Sequence, residues 1–321
     1  MNTGKVLVAH PLKQHSFQTA MALKEAGMLE KYITTVYVKD GSLTKKVLPF
    51  LKGNTKKKAE SRSCPPLDND VKQVLEFESL AYLGMQRITK LKLFRRWFIR
   101  KVINRFGIKV AKYAIKHNVD AVIMYDTTAT TCFEYLKKHA PYIKRVLDVS
   151  ISTGRFMKDN FEKDMLLTGD EGHREESEFL WNKTVMLDRD REIESSQYFL
   201  AASNIVKKSL IYCGAKEEQI YIIPYGVDRK KFSFVPKKEI TGTLKLVFVG
   251  QVNYRKGIHH ICKLQKKWEM PSNSFWQDHL IANQKFTKNT KTAITYTFAG
   301  LLLEISWRAC IMIAMCSYFQ H

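Results

Sequence analysis

A basic turn flanked by glycines follows a predicted strand near residue 256. The apolar run 244–249 predicts the strand, and the residues after it lead into what begins as a helix. A lysine on such a turn, at the amino end of a helix, can stabilise a negatively charged ligand. The alternative is a basic turn that binds nothing. The candidate anion-binding residues of this turn are Gly250, Gln251, Arg255 and Lys256.

Two aspartates late in predicted strands form a second group of candidates. The run AVIMYD ends at Asp126, and the run RVLDVSI contains Asp148. The carboxyl ends of parallel strands meet at one edge of a sheet, which is where ligands bind. A buried carboxylate is costly unless it is paired. We therefore take Asp126 and Asp148 as candidate catalytic residues, the alternative being that each fixes a loop.

The elements that must position these residues alternate between strand and helix. Short apolar runs predict strands at 5–10, 33–38, 121–126, 145–151, 198–202, 220–223 and 244–249. Helical patterns lie between several of them, including one that begins after the N-cap candidate Ser203 and a strongly charged one over 161–195. This alternation predicts an α/β protein with a parallel sheet.

The loop after the first strand supplies two further candidates. In an open parallel α/β sheet, this first strand-to-helix turn faces the ligand. It contains no GxGxxG motif, so nothing supports a dinucleotide cofactor. Lys13 and His15 are candidate substrate contacts. The alternative is a solvated loop in which His15 only caps a turn.

Three phrases of the chain resemble one enzyme family. ASNIVKKSL, IPYGVD and FVGQVNYRKG are similar to the join between the two domains of retaining GT-B glycosyltransferases of family 4. The resemblance is weaker towards the N-terminus and stops near His260. It implies a GT-B-like fold, with one complete Rossmann-type N-terminal domain and an incomplete second Rossmann domain. It also implies a nucleotide-diphosphate sugar as donor, transfer with retention to a glycan or lipid-linked acceptor, and no metal or other cofactor.

The resemblance implies roles for individual residues. Lys256 matches the lysine that stabilises the diphosphate as the sugar–phosphate bond breaks. Many members carry an arginine where this chain has Gln251, and Arg255 is a substitute at a different spacing. Asp148 stands near the position of a polar residue, often histidine, beside the reacting sugar. The residues expected in the acceptor-side cleft, where members often carry glycines, are Lys13 and His15.

The resemblance also implies domain boundaries. Residues 1–226 are expected to form the acceptor-side domain, 227–243 the linker, 244–262 the start of the donor domain, and 263–321 a divergent tail. Only 78 residues follow from position 244, against about 100–150 for an ordinary domain.

The donor domain is expected to be incomplete. No glutamate is followed by another eight positions later, although the family uses such a pair to hold the donor. We therefore expect a frameshifted or otherwise disrupted tail and little or no transfer activity. The alternative is a divergent C-terminal domain. Glu304 and Arg308 interrupt the apolar stretch 292–319, which disfavours a spanning helix.

The formal net charge of +22 is concentrated in one segment. Residues 79–119 carry eleven lysines or arginines and no acidic residue. Within 86–116 an apolar series recurs at helical spacing, formed by Leu91, Phe94, Phe98, Val102 and Phe106. Three interpretations compete: a helix packed on the core with a solvated basic face, a helix lying on an anionic membrane surface, and a nucleic-acid site. The last is disfavoured because no nucleic-acid-binding motif accompanies the charge.

The six cysteines form no CxxC pair, so no metal site is predicted. The sequence begins without the pattern of a signal peptide. A cytoplasmic protein is expected, peripheral on the inner membrane face if 86–116 binds lipid. The alternative function is a non-catalytic Rossmann module that docks to an anionic membrane or a partner transferase.

Overall fold

The computed structural model describes residues 4–12, 15–86, 92–169, 173–174 and 183–227, and the single residues 229, 232, 256, 257 and 260. Its contacts divide the chain into two units. The first unit comprises Met1–Lys163 and Ser177–Pro224, and the second comprises Asp164–Glu176 and Tyr225–His321. All the strands that the structure describes belong to the first unit. The predicted boundaries at 226, 243 and 262 stay predictions.

One seven-stranded sheet organises the first unit. Its strands are β1 (Val6–Ala9), β2 (Leu29–Thr34), β3 (Val71–Gln73), β4 (Ala121–Tyr125), β5 (Lys144–Val149), β6 (Tyr198–Ala201) and β7 (Ile220–Ile222). They lie in the order β3-β2-β1-β4-β5-β6-β7, and every neighbouring pair is parallel. The predicted α/β fold with a Rossmann-type parallel sheet is confirmed. The predicted start of the second Rossmann domain lies outside the described residues, apart from Lys256, Gly257 and His260.

Helices connect the strands, as parallel pairing requires. The helices in the described ranges are α1 (Ser16–Glu25), α2 (Leu43–Val47), α3 (Gly53–Glu60), α4 (Glu76–Met85), α5 (Lys92–Lys116), α6 (Thr130–His139), α7 (Gly154–Thr168), α8 (Lys183–Ser195) and α9 (Asn204–Tyr212). Short 3-10 helices lie at Leu48–Phe50, Pro65–Leu67 and Glu217–Gln219. The predicted N-cap of α9 is present, because the hydroxyl of Ser203 accepts a hydrogen bond from the N–H of Val206.

The sheet separates two apolar clusters. Successive strand residues point to opposite faces, so Leu7 of β1 joins one cluster, while Val6 and Val8 join the other. The larger cluster includes α5 and α6, with Phe106 and Phe133 fully buried. This packing fixes the strands whose carboxyl ends carry the candidate site.

The second strand lies four residues earlier than the predicted 33–38. β2 pairs with β1 from Leu29 to Ile33. Because β1 is only four residues long, this pairing ends at Ile33. The buried character of the following residues has another cause. Tyr37, for example, packs in the second apolar cluster against Phe17, and its hydroxyl donates to Asp68 Oδ1 at 2.6 Å. No sequence pattern predicts β3, which is three residues long and mostly polar.

Within the basic segment, Lys92–Lys116 form α5, whose two halves differ in burial. Val102 and Phe106 are buried in the core, as the core-packed interpretation predicted. Leu93, Phe94 and Trp97 in the first turns are instead 79%, 49% and 56% exposed. No helix in the described ranges is long and apolar enough to cross a bilayer.

Candidate active site

The site lies where the strand order reverses. β1 pairs with β2 on one side and with β4 on the other, so the connections leave β1 and β4 in opposite directions. Such a switch point opens a crevice at the carboxyl edge of a parallel sheet. The residues that follow β1 and β4, and the end of β5, meet at this edge.

His15 and Asp148 form a pair at this edge. His15 directly precedes α1, and Asp148 is the fifth residue of β5. Nε2 of His15 lies 3.1 Å from Oδ2 of Asp148, with side-chain exposures of 23% and 11%. An ionised carboxylate can only accept, so it holds the proton of a neutral His15 on Nε2. The structure thus brings together two of the predicted site residues, 133 positions apart.

Tyr125 supports this pair from the end of β4. Its ring is fully buried, and His15 packs edge-on against it with the ring centroids 4.9 Å apart. His10, the residue after β1, packs on the same ring at 5.3 Å. Burial lowers the pKa of His10 to about 4, although a hydrogen bond to the carbonyl of Leu12 opposes that shift. His10 is therefore neutral near pH 7 and serves as a packing residue beside His15.

Asp126 lies next to this pair. Its backbone N–H donates to the carbonyl of Asp148 at 3.0 Å, and the hydroxyl of Ser150 donates to its Oδ1 at 3.2 Å. Burial raises the pKa of Asp126, while Arg189 and the Ser150 hydroxyl oppose that shift. The predicted proximity of Asp126 and Asp148 is thus present, since β4 and β5 pair in parallel.

The loop after Asp126 is held by a buried glutamate. Glu192 of α8 accepts the N–H groups of Thr127 at 2.8 Å and Ala129 at 2.6 Å, and that of Thr130 at 3.2 Å. Thr127 has φ +73°, a left-handed conformation that is strained for a β-branched residue. Burial raises the pKa of Glu192 to about 7, although the donated hydrogen bonds and Arg189 act against it. Backbone strain of this kind concentrates at functional sites.

A cleft opens beside this loop. It is lined by Asp126, Thr127, Ser152, Thr153, Arg189 and Glu192, with apolar walls from β5 and α9. Nε of Arg189 is buried and has no hydrogen-bond partner within the described ranges. Arg189 also approaches Gly154 so closely that a Cβ there would lie 2.9 Å from Nη1. The cleft is therefore lined by one guanidinium, that of Arg189, and by two carboxyl groups, those of Asp126 and Glu192.

The arrangement can perform proton transfer at a hydroxyl. With its proton fixed on Nε2, a neutral His15 has a basic Nδ1, and Asp148 stabilises the imidazolium that forms when Nδ1 takes a proton. Asp126 adds a second carboxylate that can accept a hydrogen bond from a hydroxyl group. These are the groups that a general-base or hydroxyl-positioning site requires.

The other predicted site residues belong to the second unit or lie outside the described ranges. Lys256 belongs to the second unit and is exposed. Gly257 after it has φ +73°, and its carbonyl accepts the N–H of His260 at 3.0 Å, so the turn does require glycine here. The predicted residues outside the described ranges are Lys13, Gly250, Gln251 and Arg255.

Sequence reasoning missed three residues of the site. His10 directly follows β1, so the strand-end argument used for Asp126 would have found it. Tyr125 was read only as part of an apolar strand. Glu192 lies in a strongly charged helix. The apolar residue Ile193 beside it was the only sequence signal that this face of α8 is buried. Within the described ranges, no cluster of three or more His, Cys, Asp or Glu residues could hold a metal ion.

No protein-family model and no curated protein matches the chain. Among solved structures, it is similar to Anabaena HepE in complex with UDP-glucose, with a TM-score of 0.34 and 12% identity over 83% of this chain and 50% of that one. It is also similar to a putative UDP-N-acetylglucosamine 2-epimerase from Listeria monocytogenes, with a TM-score of 0.32 and 13% identity over 68% and 43%.

A third similar structure is the N-terminal domain of trehalose-6-phosphate phosphatase from Candida albicans, with a TM-score of 0.39 and 9% identity over 73% and 52%. The chain thus spans about half the length of these proteins. TM-scores below 0.5 at such identities establish no shared activity.

Proposed function

We propose that this chain is a glycosyltransferase of the family 4 type. Enzymes of this type bind a nucleotide-diphosphate sugar and transfer the sugar, with retention, to a glycan or lipid-linked acceptor. We expect this chain to retain little or no transfer activity, because it lacks the glutamate pair with which the family holds the donor. No metal takes part in this scheme. The observation that carries the proposal is the pairing of His15 with Asp148 at the switch-point edge of a Rossmann-type sheet.

In this proposal, the first unit binds the acceptor. An acceptor hydroxyl attacks the sugar, and its proton must leave as the new bond forms. A site with His15 oriented by Asp148, and with Asp126 beside it, suits such a hydroxyl. Lys13, two residues before His15, extends this loop with a positive charge.

The basic turn supplies the donor side. The diphosphate leaving group gains negative charge as the sugar–phosphate bond breaks. Lys256 stabilises that charge, with Arg255, Gln251 and the strand-end Gly250 forming the rest of the turn. The exposure of Lys256 and the left-handed Gly257 after it support this role.

Donor binding is the first test, because it needs no turnover. The full chain is titrated calorimetrically with UDP-glucose and with GDP-mannose. We expect one of them to bind, and Lys256→Ala to weaken that binding by at least about tenfold, because a hydrogen bond to a charged group is lost. The matched control is Lys216→Ala, which removes an exposed lysine of the first unit and should change nothing.

Two results would overturn the proposal. One is the absence of heat with either nucleotide sugar at millimolar concentration. The other is binding that Lys256→Ala and Lys216→Ala weaken equally, because such binding would follow the overall charge of the chain. Transfer is then assayed with the bound donor, and its stereochemistry is read from the anomeric configuration of the product.

A further inference from the structure

The first turns of α5 leave the core and present a face that nothing in the described ranges covers. Buried residues of this helix recur from Val102 onwards, at Phe106 and Val110. Before Val102, Leu93 and Trp97 are 79% and 56% exposed. These two residues are four positions apart and therefore lie on the same side of the helix. Exposing a leucine and a tryptophan together is unfavourable in water.

Cations flank this apolar pair. Helical spacing places Arg96 and Arg100 on one side of Leu93 and Trp97, and Phe94 and Lys101 on the other. Nζ of Lys101 lies 5.8 Å from the centroid of the Trp97 ring, and the ring of Phe94 lies 5.7 Å from it. We call this surface the basic–aromatic face, and it consists of Leu93, Phe94, Arg96, Trp97, Arg100 and Lys101.

The positive charge of this face is only partly neutralised. Arg100 pairs with Asp188 at 2.8 Å, and the next arginine along α5, Arg105, pairs with Glu78 at 3.1 Å. Arg96 and Lys101 form no ion pair with any residue that the structure describes. The absence of acidic residues from 79–119 leaves no negative side chain on α5 itself to offset them.

We propose that the basic–aromatic face docks in the plane of a lipid bilayer that contains anionic phospholipid. Leu93 and Trp97 enter the boundary between headgroups and acyl chains. Arg96 and Lys101 remain at the level of the lipid phosphates, as a helix with apolar residues between cations does at such an interface. The inference is independent of the catalytic proposal, since it uses no residue of the candidate site.

The composition of the face selects a membrane over the other polyanions. A nucleic acid would neutralise Arg96 and Lys101 but would leave Leu93 and Trp97 with little apolar surface to contact. An anionic bilayer satisfies both requirements at once, because negative headgroups lie directly above hydrocarbon. Trp97 is also the side chain that favours the membrane–water boundary, since its ring is large and carries one polar N–H.

Co-sedimentation with vesicles tests this docking. The full chain is mixed with vesicles of phosphatidylcholine alone, or with phosphatidylglycerol added. We expect partition onto the anionic vesicles only, falling as salt is raised. Arg96→Gln with Lys101→Gln should lower the partition coefficient about 30-fold, at about 1 kcal/mol for each cation near the surface. Leu93→Ser with Trp97→Ser should lower it by about tenfold or more.

The matched control changes the same net charge elsewhere. Lys57→Gln with Lys58→Gln removes two exposed lysines of α3 and should leave the partition within about twofold. All these positions are exposed, so the variants should keep the circular dichroism of the parent.

Three outcomes would overturn the docking. Equal partition of the Lys57/Lys58 and Arg96/Lys101 variants would show that the overall charge is responsible. Unchanged binding of the Leu93/Trp97 variant would show that no apolar insertion occurs. Binding to duplex DNA that the Arg96/Lys101 variant loses, with no partition onto vesicles, would assign the face to nucleic acid.

Discussion

The carboxylate of Glu192 accepts the backbone N–H of Thr127 at 2.8 Å, and so holds a threonine whose φ is +73°. Thr127 directly follows Asp126 at the carboxyl end of β4. The strain of the left-handed threonine is thus balanced by hydrogen bonds to a buried acid on α8. The position of Asp126 depends on the protonation and packing of a residue 66 positions later in the chain.

Glu192 should make stability fall as the pH rises. Its pKa in the folded protein is about 7, against an ordinary 4.5, because it is buried. Between pH 4.5 and 7, the folded protein holds a proton on Glu192 that the unfolded chain has released. The contribution of Glu192 to the free energy of unfolding is therefore fully present below pH 4.5 and is lost as the pH rises through 7. The total is about 3 kcal/mol. Glu192→Gln removes this pH-dependent contribution. When the urea midpoints of the variant and the parent are plotted against pH, the two curves should therefore converge or cross between pH 5 and 8.

The exposed Glu60 on α3 offers the control for that titration. Glu60→Gln should give a midpoint curve parallel to that of the parent at every pH. A Glu192→Gln curve that is also parallel to the parent would mean that Glu192 is ionised in the folded protein throughout this range.

The His15–Asp148 pair should act as one unit in sugar transfer. We expect His15→Gln and Asp148→Asn each to lower the residual transfer rate of the parent by about 10²–10⁴-fold, the range for a general base. The double variant should be little slower than either single one, because the two side chains share one function. Asp40→Asn, at an exposed aspartate that pairs with Lys45, is the control. A fully active Asp148→Asn protein would exclude Asp148 from the reaction.

Two helical glycines should respond to alanine in opposite ways. Gly107 of α5 lies against α6, and an added Cβ would be 2.9 Å from the backbone nitrogen of Cys132. Backbone cannot move aside cheaply, so Gly107→Ala should lower the free energy of unfolding by about 1–3 kcal/mol. Gly84 of α4 has nothing within 4 Å, so Gly84→Ala should raise it by about 0.5–1 kcal/mol. Urea denaturation measures both. A Gly107→Ala protein as stable as its parent would show that the two helices can separate freely.

The stability of the folded protein should depend on the hydroxyl group of Tyr37. Its hydroxyl donates to Asp68 Oδ1 at 2.6 Å and accepts the N–H of Cys64 at 2.9 Å. Tyr37→Phe leaves both partners without this contact and should cost about 1–3 kcal/mol in the same assay. Tyr142→Phe, at a tyrosine that is 66% exposed, should change the stability by less than about 0.5 kcal/mol. Equal effects of the two substitutions would contradict the role of this hydroxyl.

Apart from β3, the strands of the sheet could be predicted from the sequence, and so could the edge at which Asp126 and Asp148 lie. Apolar runs that end in polar residues are easy to recognise, because a strand buried on both faces needs apolar side chains throughout. The start of β2 was misplaced because its bounds depend on the length of β1, which is a property of pairing and not of the run itself.

The contacts of the site could not be predicted in the same way. His15 meets Asp148 only because β4 and β5 lie on the same side of β1, and the strand order is set by tertiary packing. Glu192 looks like one more solvated charge among Asp188, Arg191 and Glu194. Glu192 is buried because α8 packs beside α6. No local sequence pattern predicts this contact between the two helices.

The pairing of β1 with β4 has a consequence for synthesis on the ribosome. Val6 of β1 pairs with Ala121 of β4, so one edge of β1 remains unpaired until 115 further residues have been synthesised. At about 5–20 residues per second, that delay is on the order of 10 s. Throughout it, an apolar strand edge is open to other nascent chains. A chaperone that binds the nascent chain early would therefore protect this edge until β4 has been made.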